Sequence, residues 1–161
     1  MAEIICNTSP LQYLHLLGRL DLLPQLCRVV RVPRAVQREL QEGVSHGLDL
    51  PDLSKLSWAE LCDPQSAPEL PSAAYLGSGE SAVLALAIES DDPIVILDDL
   101  LARKAAQQLR IRFTGTLGIL LDAKSKCLID AVTPFLDELD RLRFRVSAAT
   151  RSEVLRLAGE V

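Results

Sequence analysis

Three short polar clusters carry the residues that could do chemistry: Asn7-Thr8-Ser9, Asp98-Asp99 and Thr114-Gly115-Thr116. Each follows a short apolar run, so each sits where a buried strand would end. Glu39 and Glu80 lie on helical stretches and join the same cluster if those helices pack alongside. The set offers carboxylate, amide and hydroxyl oxygens, with no histidine or cysteine among them. Oxygen donors of this kind suit a hard cation, Mg2+ or Mn2+, and not Zn2+.

The elements that must position these residues can be read from the pattern. Glu3–Cys6 is an apolar strand that stops at Asn7-Thr8-Ser9-Pro10, a helix start with proline in the first turn. Leucines at helical spacing run from Leu11 to Leu23, broken by Gly18 and Pro24. Arg28–Val32 is a second strand; Pro33 opens a helix over Arg34–Glu42 that Gly43 should close. Residues 44–77 hold prolines 51, 64, 68 and 71, which forbid one long element, although Leu56–Cys62 has a strand's composition. Ser78-Gly79-Glu80 begins an apolar helix to about Ser90. Pro93–Leu97 is a strand, Leu100–Leu109 a helix, Ile111–Phe113 a strand, and Thr116 starts a helix to about Lys126. Thr133-Pro134 caps another helix, and Thr150-x-x-Glu153 is a capping box for the last.

Apolar strands alternating with helices predict an α/β fold: a three-layer α/β/α sandwich around a central parallel sheet of four to five strands. In such sheets ligands bind outside the carboxyl ends of the strands, near the point where strand order reverses. Residues 1–161 are expected to form one domain, with 131–161 a C-terminal helical extension.

Of 161 residues, 48% are hydrophobic and 24% charged, which excludes a disordered chain. The net charge of −5 hides an asymmetry. Residues 1–34 hold four basic and two acidic side chains, residues 35–100 two basic and thirteen acidic, residues 101–161 eleven basic and seven acidic. A carboxylate site flanked by basic residues for a phosphate chain fits that distribution; so does a solvated acidic face. Cys6, Cys27, Cys62 and Cys127 are far apart with no C-x-x-C, which argues against zinc and against a secreted disulfide scaffold. Without an apolar run of membrane-spanning length or a signal-peptide pattern at Met1-Ala2-Glu3, a cytoplasmic protein with no membrane partner is expected. A P-loop, a dinucleotide fingerprint and a G-x-S-x-G elbow are all missing. The two histidines read as a packed residue (His15) and a solvated one (His46), so a Ser–His–Asp hydrolase is disfavoured.

Five segments in order resemble the PIN-domain proteins. They are Ile4–Leu11 (IICNTSPL), Val32–Leu40 (VPRAVQREL), Leu76–Ala87 (LGSGESAVLALA), Ile96–Arg103 (ILDDLLAR) and Thr114–Gly118 (TGTLG). The last is similar to a signature of the VapC-like, toxin-type branch. The resemblance covers about residues 3–130 and implies a metal-dependent endoribonuclease that hydrolyses RNA through a metal-activated water, as the toxin of a toxin–antitoxin pair. By that resemblance Asn7 stands where the family has its first acidic ligand, and Glu39, Glu80 and Asp98 match later acids. Asp99 is a neighbour that could substitute or orient. Asn7, Glu80 and Asp98 would hold Mg2+ or Mn2+; Thr8, Ser9, Arg103, Lys104 and Thr116 would contact RNA phosphates. Arg112, Lys124 and Lys126 are further strand-holding candidates. The resemblance also implies a homodimer and a protein antitoxin as partners.

Each residue has a plainer reading beside this one. Asn7 could simply cap the first helix, Glu39 could be a surface glutamate, Glu80 could answer the helix dipole, and Asp98 or Asp99 could cap the helix at Leu100. Asparagine brings a carbonyl oxygen but no charge. A PIN domain that has lost or slowed the chemistry, and serves as an RNA- or protein-binding module, is therefore the alternative function. A phosphoacceptor domain would need paired acids after the first strand, which Asn7-Thr8 does not supply.

Overall fold

The apolar runs become five parallel strands in a computed structural model that describes residues 2–161. In chain order the elements are β1 (Glu3–Cys6), α1 (Thr8–Leu16), α2 (Leu22–Cys27), β2 (Val30–Val32), α3 (Arg34–Ser45), β3 (Ala59–Leu61), α4 (Ser78–Ile88), β4 (Pro93–Ile96), α5 (Leu100–Gln108), β5 (Arg112–Thr114), α6 (Thr116–Ser125), α7 (Thr133–Arg141) and α8 (Ala148–Ala158). The helices flank the sheet on both faces, giving the three-layer α/β/α architecture expected.

The strand order is β3-β2-β1-β4-β5. From β1 the chain steps outward to β2 and β3, then returns to the other side of β1 for β4 and β5. The reversal lies between β1 and β4, whose register runs from Glu3 opposite Pro93 to Cys6 opposite Ile96. Asn7 and Asp98 therefore leave adjacent strands at the same carboxyl edge. That crevice is where a doubly wound sheet offers room to a ligand.

Strands this short are held by burial on both faces. Ile5, Cys6, Val30, Val32, Val95 and Ile96 are all buried, and the same core takes in Leu11, Leu14, Val83, Leu84, Leu120, Leu136 and Leu139. Leu136 and Leu139 of α7 and Val154 of α8 thus share the core of the sheet.

Four helix boundaries differ from the sequence expectation. Pro24, expected to break the leucine-rich stretch, lies in the first turn of α2, where its missing N–H costs no helical hydrogen bond. Helix α3 runs through Gly43 to Ser45. The glycine makes room: a Cβ there would overlap Leu50 Cδ1 of the loop that folds back. Helix α8 starts at Ala148, capped by Ser147, whose side-chain oxygen accepts from Thr150 N at 3.1 Å. Thr150 is thus in the first turn, and Glu153 pairs with Arg156 instead of closing a capping box. Thr133 is the first residue of α7; its hydroxyl donates to Glu160 at 2.6 Å.

Glu160 fastens that end of the molecule. Its carboxylate accepts from Val132 N at 2.7 Å and Thr133 N at 3.0 Å, and pairs with Lys124 at 3.0 Å. Burial alone would push this carboxyl up, but the hydrogen bonds from Thr133 and Val132 and the lysine overcome it and hold it at about 2. All four cysteines are thiols, and no helix among the described residues is long and apolar enough to cross a membrane.

Candidate active site at the carboxyl edge of the sheet

Among the described residues only two polar ones are buried, Asn7 at 2% exposure and Thr116 at 0%. Both lie at the reversal crevice. A core excludes polar side chains unless they are satisfied or needed, so their position marks the spot.

Asp98 is the best-held carboxylate there. Its Oδ1 accepts from Thr116 N at 2.8 Å, and its Oδ2 from Thr116 Oγ1 at 2.7 Å and Ser9 Oγ at 2.9 Å. Helix α6 has Gly115 at its N-cap, so Asp98 supplies from β4 the acceptor that a side chain at the cap would otherwise provide. Gly115 permits this approach: a Cβ on it would lie 2.8 Å from Asp98 Oδ1 and 3.1 Å from the Leu97 carbonyl. Gly118, one turn on, leaves space for the Thr114 hydroxyl, which a Cβ would overlap. Each residue of the Thr-Gly-Thr-x-Gly run except Leu117 therefore has a steric or hydrogen-bonding reason. Asp99 does a different job: its Oδ2 caps α5 by accepting from Ala102 N at 2.9 Å.

The other half of the crevice holds Asn7, Glu39 and Gly79. Thr8 Oγ1 donates to Glu39 Oε1 at 2.9 Å. A Cβ on Gly79 would overlap Glu39 Oε1 and lie 2.8 Å from Asn7 Oδ1, so both oxygens converge on the first turn of α4. Burial pushes the Glu39 carboxyl up, against the Thr8 hydrogen bond, and the nearby Glu80 carboxylate adds to the rise. Glu80 itself curls back toward Gly77, the N-cap of α4, where a Cβ would overlap its Oε2. Asn7 occupies the N-cap position of α1 but makes no side-chain cap bond. Its Oδ1 is buried without a donor.

An orphaned carbonyl oxygen beside carboxylates fits a hard divalent cation, because nothing in the protein satisfies it. Among the described residues no three carboxylate, imidazole or thiol groups come close enough to hold an ion by themselves. Carbonyl and water oxygens would have to complete any shell, as is usual for Mg2+.

The basic residues divide. The Arg103 guanidinium carbon lies over the Phe113 ring, 4.9 Å from its centroid, and Arg103 lines a cavity beside Asp98. Lys104 is exposed on the next position of α5. Arg112, by contrast, starts β5 at the far edge of the sheet and pairs with Asp92. Lys124 is committed to Glu160, and Lys126 lies just past the far end of α6. The hydroxyls of Thr8, Ser9 and Thr116 donate to the carboxylates of Glu39 and Asp98, which orients those acids.

The PIN domain family DUF3368 matches residues 3–160. The chain belongs to this PIN-domain family. PIN domains are nucleases that act on nucleic acid and typically use divalent metal ions, which accords with an oxygen-lined crevice at the sheet edge. No curated protein and no solved structure matches the chain.

Sequence reasoning missed the part of two glycines and one arginine, although Gly115 lay within a run it had singled out. Gly79 and Gly115 set how closely the acids approach, and Arg145 lines the cavity beside Asp98. The glycines adjoin residues already singled out, which was the available signal; Arg145 had none, because only the turn before α8 brings it back.

Proposed function

We propose that this PIN domain, spanning residues 1–161 as one unit, is an endoribonuclease that hydrolyses RNA phosphodiester bonds with Mg2+ or Mn2+. The observation that carries the reading is the buried, donorless Asn7 Oδ1 beside Glu39 and across the crevice from Asp98. Asn7, Glu80 and Asp98 hold the cation; Glu39 completes the acidic surround, and Asp99 orients the start of α5 beside Asp98. Thr8, Ser9 and Thr116 fix the carboxylates, and Arg103 and Lys104 attract the RNA backbone. The bound cation supplies an acidified water and neutralises phosphate charge.

The reading extends to the toxin of a toxin–antitoxin pair, a cytoplasmic homodimer restrained by a protein antitoxin. Leu100 at 66% exposure and Leu101 at 40% give apolar surface beside Asp98-Asp99 for such a partner to cover. A second reading, a catalytically silent binding module, is favoured by one fact: Asn7 brings no charge where the chemistry profits from it.

The test is Mn2+-dependent cleavage of a mixed RNA pool by the purified protein beside an identically prepared Asp98→Ala variant. Cleavage by the wild type alone is expected. Equal cleavage by both preparations, or by neither, overturns the nuclease reading in favour of the binding module.

A further inference from the structure

A cavity of about 180 Å3 opens next to Asp98. Its lining includes Asp98, Arg103, Gly115, Arg145, Ser147 and Thr150. Two guanidinium groups therefore meet one carboxylate there. Asp98 is already occupied by three donors from Ser9 and Thr116.

Arg103 is placed without being used. Its guanidinium carbon lies over the Phe113 ring, 4.9 Å from the centroid, its Nε is buried with no partner, and among the described residues its side chain makes no ion pair or hydrogen bond. A guanidinium packed against an aromatic ring, with its Nε buried and five donors unspent, is preorganised for an oxyanion, since part of its rotamer freedom is already lost. Arg145 is exposed and likewise unpaired among the described residues. It enters the cavity from the turn before α8, whose capped N-terminus brings Ser147 and Thr150 to the same wall. The positive end of that helix adds to the field of the two arginines.

We propose that this cavity is a phosphate subsite. It grips the backbone phosphate next to the scissile one, between Arg103 and Arg145, and so sets the register of the RNA over Asp98. The inference rests on the nuclease reading for what Asp98 does, but the cavity's own chemistry is anion binding and is measurable without cleavage. The contact is to backbone and carries no base preference.

The experiment is fluorescence anisotropy of a labelled single-stranded RNA octamer with the full chain in EDTA, across a salt series. Arg145→Gln and Arg103→Gln are each expected to weaken binding about tenfold. The double variant lowers the slope of log K against log salt by about 0.7, the value for the one phosphate contact the two arginines share, and each single variant by less. Because both arginines hold one phosphate, the double variant loses less than the product of the two single losses. Lys55→Gln, an exposed charge near the opposite edge of the sheet, serves as the control for net charge. Arg145 is exposed, so its variant folds whatever becomes of Arg103. Losses equal to that of Lys55→Gln, a fully multiplicative double variant, or no octamer binding by the wild type each overturn the subsite. If binding behaves as expected but Mn2+ brings no cleavage, the nuclease reading fails and the phosphate subsite stands.

Discussion

Adding one methyl group at Gly79 separates the site from the fold that carries it. Gly79 is the second residue of α4 and has no positive φ, so alanine meets no backbone strain there. Its Cβ would overlap Glu39 Oε1, lie 3.1 Å from Glu39 Cδ and 2.8 Å from Asn7 Oδ1. The nearest obstacle is the tip of a flexible, half-buried side chain, which swings toward solvent. That movement breaks the 2.9 Å bond from Thr8, a charge-assisted contact of about 1.5–3 kcal/mol if nothing replaces it. Water reaches both partners and restores most of this, while glycine-to-alanine in a helix returns about 0.5–1 kcal/mol. Stability should therefore change by no more than about 1 kcal/mol, or about 2–4 °C in Tm. Mn2+ affinity should fall about 10- to 100-fold, the usual cost of disturbing a cation's surround. Thermal unfolding in EDTA and titration calorimetry with Mn2+ measure the two quantities on one preparation. Unchanged Mn2+ affinity would refute the placing of Asn7 among the residues that hold the cation, with Glu39 beside it.

Three further residues in the fold and the site lead to measurable outcomes. Asn7→Asp gives the orphaned oxygen a charge beside Glu39, so it lowers Tm in EDTA and raises Mn2+ affinity about tenfold; equal affinities in side-by-side calorimetry sink the idea. Glu160→Gln removes a carboxyl held at about 2 against an ordinary 4.5. A depressed pKa contributes stability that is full above about pH 4.5 and is lost as pH falls toward 2. At 1.36 kcal/mol per unit the ceiling is about 3 kcal/mol, and solvent screening of a side chain 12% exposed brings it to about 2. Tm of the variant should fall about 4–8 °C at pH 7 and converge with wild type near pH 2; a gap independent of pH contradicts the linkage. Leu136→Ala, fully inside the core, should cost about 3 kcal/mol in a single urea transition. A second, separate transition would mean that α7 and α8 fold apart from the sheet.

The sheet was legible because Ile4-Ile5-Cys6 and Ile94-Val95-Ile96 form brief apolar runs, and Val30 and Val32 flank Arg31, in the manner that buried parallel strands need. Asp98 was legible for the same reason, as the polar residue that must follow such a run. What escaped depends on contacts between distant segments. Gly43 reads as a helix stop until Leu50 is seen packed against it. Asn7 looks like a helix cap until its side chain is found making no cap bond. Ser147 and Thr150-x-x-Glu153 compete as caps within four residues, and only the folded turn decides. The basic residues were least legible, since solvated and strand-holding lysines have the same composition; Lys124 found Glu160 and Arg103 found Phe113.

The strand order also governs when the crevice comes into being. Ile5 pairs with Val95, ninety positions later, and nothing nearer in the chain occupies that edge of β1. The first three strands can assemble as a local unit, but the central edge stays open until β4 arrives across a long loop closure. Asn7 and Asp98 sit on either side of that last seam. A partly folded chain therefore carries both halves of the crevice without the crevice, and any hydrolytic power appears only with the slowest, most non-local pairing. Recovery of the site during refolding is a direct clock for closure of the β1–β4 seam.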